Sequence, residues 1–235
     1  MRCPREIDGS SVHRRHIRFH ASATKGVSPL HDTLHAEASI LYASLRDALR
    51  AREDAEDAAT AASACLARTE GLLENAIREI DAAAKKIDRK DPSLAAQRTI
   101  FPAGITPVIK PDGPAQLEVL PPLRIRLAPF AGKGDMDEAL AGLDLAEAQH
   151  RAALQTVNMV VAEVEIRFAE EREARRAVRE QLVSAFGRLR DHYKASPQAA
   201  EAFFFREKSS TSSKTKEPTN GASPPIAPAS AALPA

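Results

Sequence analysis

The chain has no tryptophan, and aromatic residues make up only 4% of its 235 positions. A compact multilayer core of that length normally draws on more large flat side chains, so their shortage argues against one. Cysteine is nearly missing as well: only Cys3 and Cys65 occur. No disulfide framework is implied, which fits a reducing compartment. No segment approaches ~18 uninterrupted apolar residues, and the N-terminal stretch has no apolar run of signal-peptide length. The expected location is therefore the cytoplasm, with no membrane span. An excess of one charge is lacking too. The net charge is +1, which gives no global field to attract nucleic acid or membrane. No Gly-rich loop leads into a helix, and Asp112-Gly113 is a turn signal only. Cys65 has no histidine near it in sequence and reads as inert. These gaps argue against an enzyme, and no cofactor is expected.

What is abundant is a seven-residue repeat. From Leu34 it steps by four and three through Ala38, Leu41, Leu45, Ala48, Arg52, Ala55, Ala59, Ala62, Leu66, Thr69, Leu73, Ala76, Ile80 and Ala83 to Ile87. Only Arg52 and Thr69 are not apolar. A 3.5-residue period held this long marks a coiled-coil seam. A similar stripe runs from Leu140 and Leu143 through Glu147, His150, Leu154, Val157, Val161, Val164, Phe168, Glu171, Arg175, Val178, Leu182 and Ala185 to Leu189. Alanine at one position of most heptads of the first stripe lets the backbones approach closely.

The expected fold is all-α: a long antiparallel two-helix coiled-coil hairpin with a small Pro-rich cap at its tip and disordered termini. Residues 1–27 mix Arg, His, Ser and Gly without apolar period and read as a disordered basic arm. Helix 1 spans residues 28–91, with Ser28 as cap, Pro29 at the first helical position and Asp91-Pro92 as the stop. Residues 92–134 hold prolines that break any long helix. They are nevertheless too apolar for a free linker, and they read as a folded cap with short helical turns. Helix 2 spans residues 135–195. A short helix is expected over residues 196–206, then a disordered tail over residues 207–235.

Pairing of the two long helices follows from the tip. With Lys90 beside Asp135, facing residues have numbers that add to about 225. Arg52, the charged interruption of the first stripe, then falls opposite Glu171, where the second stripe is polar at Glu171 and Arg175. A buried polar layer of this kind costs stability and sets register. Arg52, Glu171 and Arg175 are the expected register-setting layer. Apolar residues off the seam, among them Ile40, Leu49, Leu72, Ile77, Val160, Ile166, Val183 and Phe186, point to a second face that a second copy or another protein covers.

Three features bear on chemistry. The arm holds Cys3, His13, His16 and His20, followed by His31 and His35, yet their spacing fits no zinc motif and arginines interleave. Glu147-Ala-Gln-His150 is an E-x-x-H pair, and the register brings Glu74 to it. This resembles the ligand pattern of two-helix ferritin-like proteins at that motif alone, and such bundles need the motif doubled. The resemblance makes Glu74, Glu147 and His150 weak metal candidates; the bland reading makes them polar seam residues, and no metal is assigned. Phe203-Phe204-Phe205 is the densest aromatic cluster. Either it docks on the open end of the hairpin near Leu34 and Leu189 or it contacts a partner, as do Phe101 and Ile105 at the tip.

The expected function is that of a non-enzymatic structural or interaction protein, an adaptor or scaffold that forms a homodimer or binds a protein partner. A nucleic-acid-associated arm protein using the basic N-terminus and tip is the runner-up. Its outline resembles the helical arms of seryl-tRNA synthetase and of chromosome-maintenance ATPases in shape only. A ferritin-like metal-binding bundle is a distant third.

Overall fold

A computed structural model of the chain describes residues 3–206. Among them every regular element is a helix. Two are long: α2, Pro29–Lys90, and α7, Met136–His192. α2 has no proline after Pro29 and α7 has none at all. Alanine, leucine, glutamate and arginine, all strong helix formers, fill most of their length. At ~1.5 Å per residue, their 62 and 57 residues make rods about 93 and 86 Å long. Ser28 stands at the cap position of α2, but its hydroxyl turns to His31 Nδ1 at 2.7 Å instead of capping the helix. The helix stops at Asp91, whose backbone N–H returns to the Ile87 carbonyl before Pro92.

α2 and α7 pack together along their length. Lys86 meets Asp135 at 2.7 Å, Arg52 meets Glu171 at 2.8 Å and Glu37 meets Arg188 at 2.8 Å. Numbers fall on one helix as they rise on the other, so the pair is antiparallel. The buried stripe of α2 follows the repeat closely: Leu34, Ala38, Leu45, Ala55, Ala62, Thr69, Leu73, Ala76, Ile80, Ala83 and Ile87 are all buried. On α7 the stripe sits one position away from the expected one in places. Ala146 and Ala153 are buried where Glu147 and Leu154 were expected to lead, and Val161 and Phe168 are 52% and 38% exposed.

Residues between the long helices form a cap of four short helices: α3, Ala96–Ile100; α4, Thr106–Ile109; α5, Pro114–Glu118; and α6, Leu120–Leu127. Prolines open α4, α5 and α6, where the missing N–H costs nothing. The Asp88 carboxylate accepts from the first two backbone N–H groups of α3 at 2.5 and 3.0 Å. Ile100, Phe101, Leu120, Leu123, Leu127 and Phe130 then pack on Leu73, Ile77, Ile80, Ile87, Met136 and Leu143.

The N-terminal segment departs from expectation. Within residues 1–27, Ser10–Thr24 is a helix, α1, packed on α2 and α7 at the open end. Its buried stripe is Ser10, His13, Ile17, His20 and Thr24, which steps by three and four but is mostly polar. An apolar pattern search passes over such a stripe, and its polar atoms find partners only in the folded state. Residues 196–206 contain a short 3-10 helix, Pro197–Phe203, that seats Ala200 and Phe204 in the same core. The tail expected over residues 207–235 lies outside the described residues.

Ile17 is fully buried among Leu34, Leu182 and Leu189. Truncating it to alanine is expected to cost about 2–5 kcal/mol. Urea unfolding of Ile17→Ala against wild type measures this; a loose arm would show no change.

Candidate functional site

At the open end, α1, the start of α2, the end of α7 and residues 203–205 form a clasp of histidines and phenylalanines. Each phenylalanine takes a different histidine. Phe203 lies 4.7 Å from His31, Phe204 stacks on His20 at 4.7 Å, and Phe205 meets His16 edge-on at 5.1 Å. The extended backbone at Phe204 points successive rings in different directions. Phe204 is buried at 4% exposure, while Phe203 and Phe205 are half-buried. The cluster thus sits on the core beside Leu34 and Leu189, and Phe204 is not available to a partner.

Hydrogen bonds fix these imidazoles. His13 Nδ1 reaches the Gly9 carbonyl at 3.1 Å and His20 Nδ1 the Phe203 carbonyl at 3.0 Å. A carbonyl only accepts, so Nδ1 carries the proton in both rings. Their Nε2 atoms are buried with no hydrogen-bond partner among the described residues. His35 Nδ1 donates to the Ala21 carbonyl at 2.7 Å, tying α1 to α2. Burial pushes His13, His20 and His31 below the ordinary histidine value of 6.5. Asp8 favours and Arg175 and Arg179 oppose the charged form of His13; Glu37 favours and His31 opposes that of His20.

Below the clasp lies the charged layer. Glu171 is 2% exposed. One carboxylate oxygen accepts from Arg52 at 2.8 Å and the other from the Ser10 hydroxyl, with Arg175 at 3.9 Å. Arg52 also holds Glu56 at 2.8 Å. The Arg52 and Arg175 guanidiniums lie 5.2 and 6.0 Å from the Phe168 ring centroid. Burial would raise the Glu171 carboxyl, but the hydrogen bonds from Ser10 and Arg52 and the arginine charges outweigh it and leave the group below its ordinary 4.5. Arg52, Glu171 and Arg175 are thus brought together. Ser10 and Phe168 belong to the same layer; sequence reading missed Ser10 because α1 was unseen.

The metal candidates are spread out. Glu147 is held by Arg124 at 2.5 Å and Arg151 at 2.6 Å, and Glu74 lies 3.7 Å from Arg78. His150 is buried, with Nε2 donating to the Gly113 carbonyl at 3.2 Å and Nδ1 at 3.4 Å from Thr69 Oγ1. Gly113 N–H in turn donates to Glu70 at 2.9 Å. Its φ of 57° and ψ of −133° suit glycine alone. This trio pins the cap to both long helices. Among the described residues no group of three or more His, Cys, Asp or Glu could hold a metal ion. Phe101, offered as a tip contact, is 2% exposed inside the cap, and Ile105 is half-buried against it. No described helix is long and apolar enough to cross a membrane.

The stretch of α2 and α7 between the two polar layers, at Thr69–His150 and Arg52–Glu171, belongs to neither hydrophobic core. Across this stretch α2 buries only Ala55 and Ala62, and α7 only Ala153. Met159, Val161, Ile166 and Phe168 are 58%, 52%, 52% and 38% exposed. A shallow groove of about 850 Å³ straddles the Arg52–Glu171 layer, lined by Ser44, Ala48, Ile166, Ala169, Ala174 and Ala177, with Glu170, Arg172 and Glu173 at its margin.

Two measurements test the open end. The unfolded chain binds protons at histidines whose folded values lie below 6.5. Stability should therefore be complete above that value and fall as pH drops through it. Urea midpoints from about pH 7.5 to about pH 5.5 should decline, with a shallower decline in His20→Leu. The Glu171 contribution is lost separately, as pH falls through the carboxylate range near 4.5. Arg52→Met should cost about 1–3 kcal/mol at neutral pH, because it leaves a buried carboxylate short of its strongest donor.

Compared with known proteins, the chain matches no family model, no curated protein and no solved structure.

Proposed function

We propose that this protein is a non-enzymatic coiled-coil scaffold, a helical hairpin that self-associates through its uncovered central stretch. The observation that carries the reading is the contrast along the rod. Both ends have a third layer, the cap at one and α1 with residues 197–204 at the other. Among the described residues the middle belongs to neither core and leaves Met159, Val161 and Ile166 more than half exposed. Two helices that bury mainly alanine gain little area, so an isolated stretch of this kind is thinly stabilised. A second copy supplies the missing layer.

The groove fits that occupant. Its floor is alanine and serine, its margin carries both charge signs, and Ile166 is the one large apolar side chain in it. Two copies related by a twofold axis would set the Ile166 of each beside the small residues of the other, closing a four-helix layer. A protein partner with an apolar helical face is the alternative occupant. The functional output is placement: a rigid rod with two capped ends, joined at its centre.

Sedimentation velocity checks this. Wild type should shift from one-chain to two-chain mass as concentration rises to about 100 µM. Met159→Glu with Ile166→Glu should hold the chain at one-chain mass with unchanged helicity. A wild type that stays one-chain throughout overturns self-association.

A further inference from the structure

Three arginines on α1 are left without a carboxylate by the described residues. The helix Ser10–Thr24 contains no acidic residue and three arginines, Arg14, Arg15 and Arg18. None of the three has a carboxylate or hydrogen-bond partner among the described residues. Several arginines elsewhere on the rod are paired: Arg124 is held by Asp144 and Glu147, and Arg188 by Glu37.

Folding brings aromatic rings to the same place. Phe19 comes from α1, Tyr42 from α2, and Phe205 from the segment after α7. They line a groove of about 510 Å³ with Arg14, Arg15, Arg18, Ser11 and Ser22. Phe19 and Phe205 meet edge-on at 5.8 Å, and the Arg15 guanidinium sits 5.7 Å from the Phe205 ring centroid. Phe19 is 39% exposed. In sequence these three rings are far apart. Only the clasp of Phe203, Phe204 and Phe205 on α1 assembles them beside the arginines.

From this geometry we infer that the arginine–aromatic groove on α1 binds single-stranded nucleic acid, with Arg14 and Arg18 on phosphates and Phe19 as a stacking platform for a base. Cationic side chains that track a backbone, with rings that receive unstacked bases, are the two requirements for such binding. Arg14 and Arg18 stand one helical turn apart, about 6 Å along the axis, close to the repeat of an extended strand. Arg15 reinforces the ring surface by lying over Phe205. A bilayer fits less well. A surface helix needs its apolar side in the lipid, whereas Ile17 and Ala21 of α1 are 0% and 7% exposed within the protein core. A duplex fits less well too, because its bases are stacked and cannot reach Phe19. The site is separate from the central stretch and does not depend on self-association.

The test is fluorescence anisotropy of the full-length chain with labelled oligothymidylate of about 12 nucleotides. Two phosphate contacts predict a slope of log affinity against log salt of about −1.4, or roughly 7-fold weaker binding from about 50 to about 200 mM salt. Arg14→Ala with Arg18→Ala should bring the slope close to zero. Phe19→Ala should weaken binding about fivefold or more with the slope unchanged. Arg126→Ala, at the tip, should bind as wild type. Circular dichroism melts check that each variant folds. Absence of binding, equal or tighter binding of a duplex of the same length, or an arginine pair variant that binds as wild type would each overturn the inference. So would vesicles rich in phosphatidylserine that capture the protein and are not displaced by the oligonucleotide.

Discussion

The carboxylate of Glu171 is the constraint on which the open half of the molecule depends. It lies on α7, almost fully out of water, and is met from α2 by Arg52, from its own helix by Arg175 and from α1 by Ser10. A buried carboxylate without donors would cost several kcal/mol, so any arrangement that strips it of these groups is penalised. Sliding α2 by one heptad removes Arg52. Lifting α1 removes Ser10. One charge therefore couples the register of the long pair to the docking of the N-terminal helix. At the tip, His150 does related work with neutral groups, through Thr69 and Gly113.

Between these two pins the molecule is thin. Alanine along the seam lets α2 and α7 come close, and close approach leaves little room for large side chains between them. The same choice leaves Met159, Val161 and Ile166 outside the contact. The ends escape this limit because other segments cover them. The cap adds Phe101, Leu120, Leu123 and Phe130 at one end, and the clasp adds Ile17 and Phe204 at the other. The rod is thus two small cores joined by a two-helix span.

The open-end core is unusual in its materials. It uses imidazole where most cores use leucine. His13 and His20 each spend one N–H on a backbone carbonyl and keep the other nitrogen buried, while His31 bonds the Ser28 and Tyr193 hydroxyls, so imidazole acts here as a large flat core group with polar handles. Burial depresses its basicity for the same reason that it packs well: the charged form loses its water.

Much of the frame was legible in the linear chain because it rests on local periodicity. The 3.5-residue repeat marked α2 and α7, Pro29 and Asp91-Pro92 marked the ends of α2, and the matched polar breaks at Arg52 and Glu171 indicated which levels face each other. Those signals work because helix geometry puts residues three and four apart on one face wherever the helix sits. The rest was decided by tertiary contact. α1 was hidden because its buried stripe is serine, histidine and threonine, residues whose burial is favourable only once Gly9, Phe203 and Glu171 are in place to bond them. The role of His150 depended on Gly113, far along the cap, and the grouping of Phe19, Tyr42 and Phe205 beside Arg14 and Arg18 depended on three segments converging. Local pattern determines which segments become helices; the partners of buried polar groups, which decide what those helices then hold together, exist only in the assembled fold.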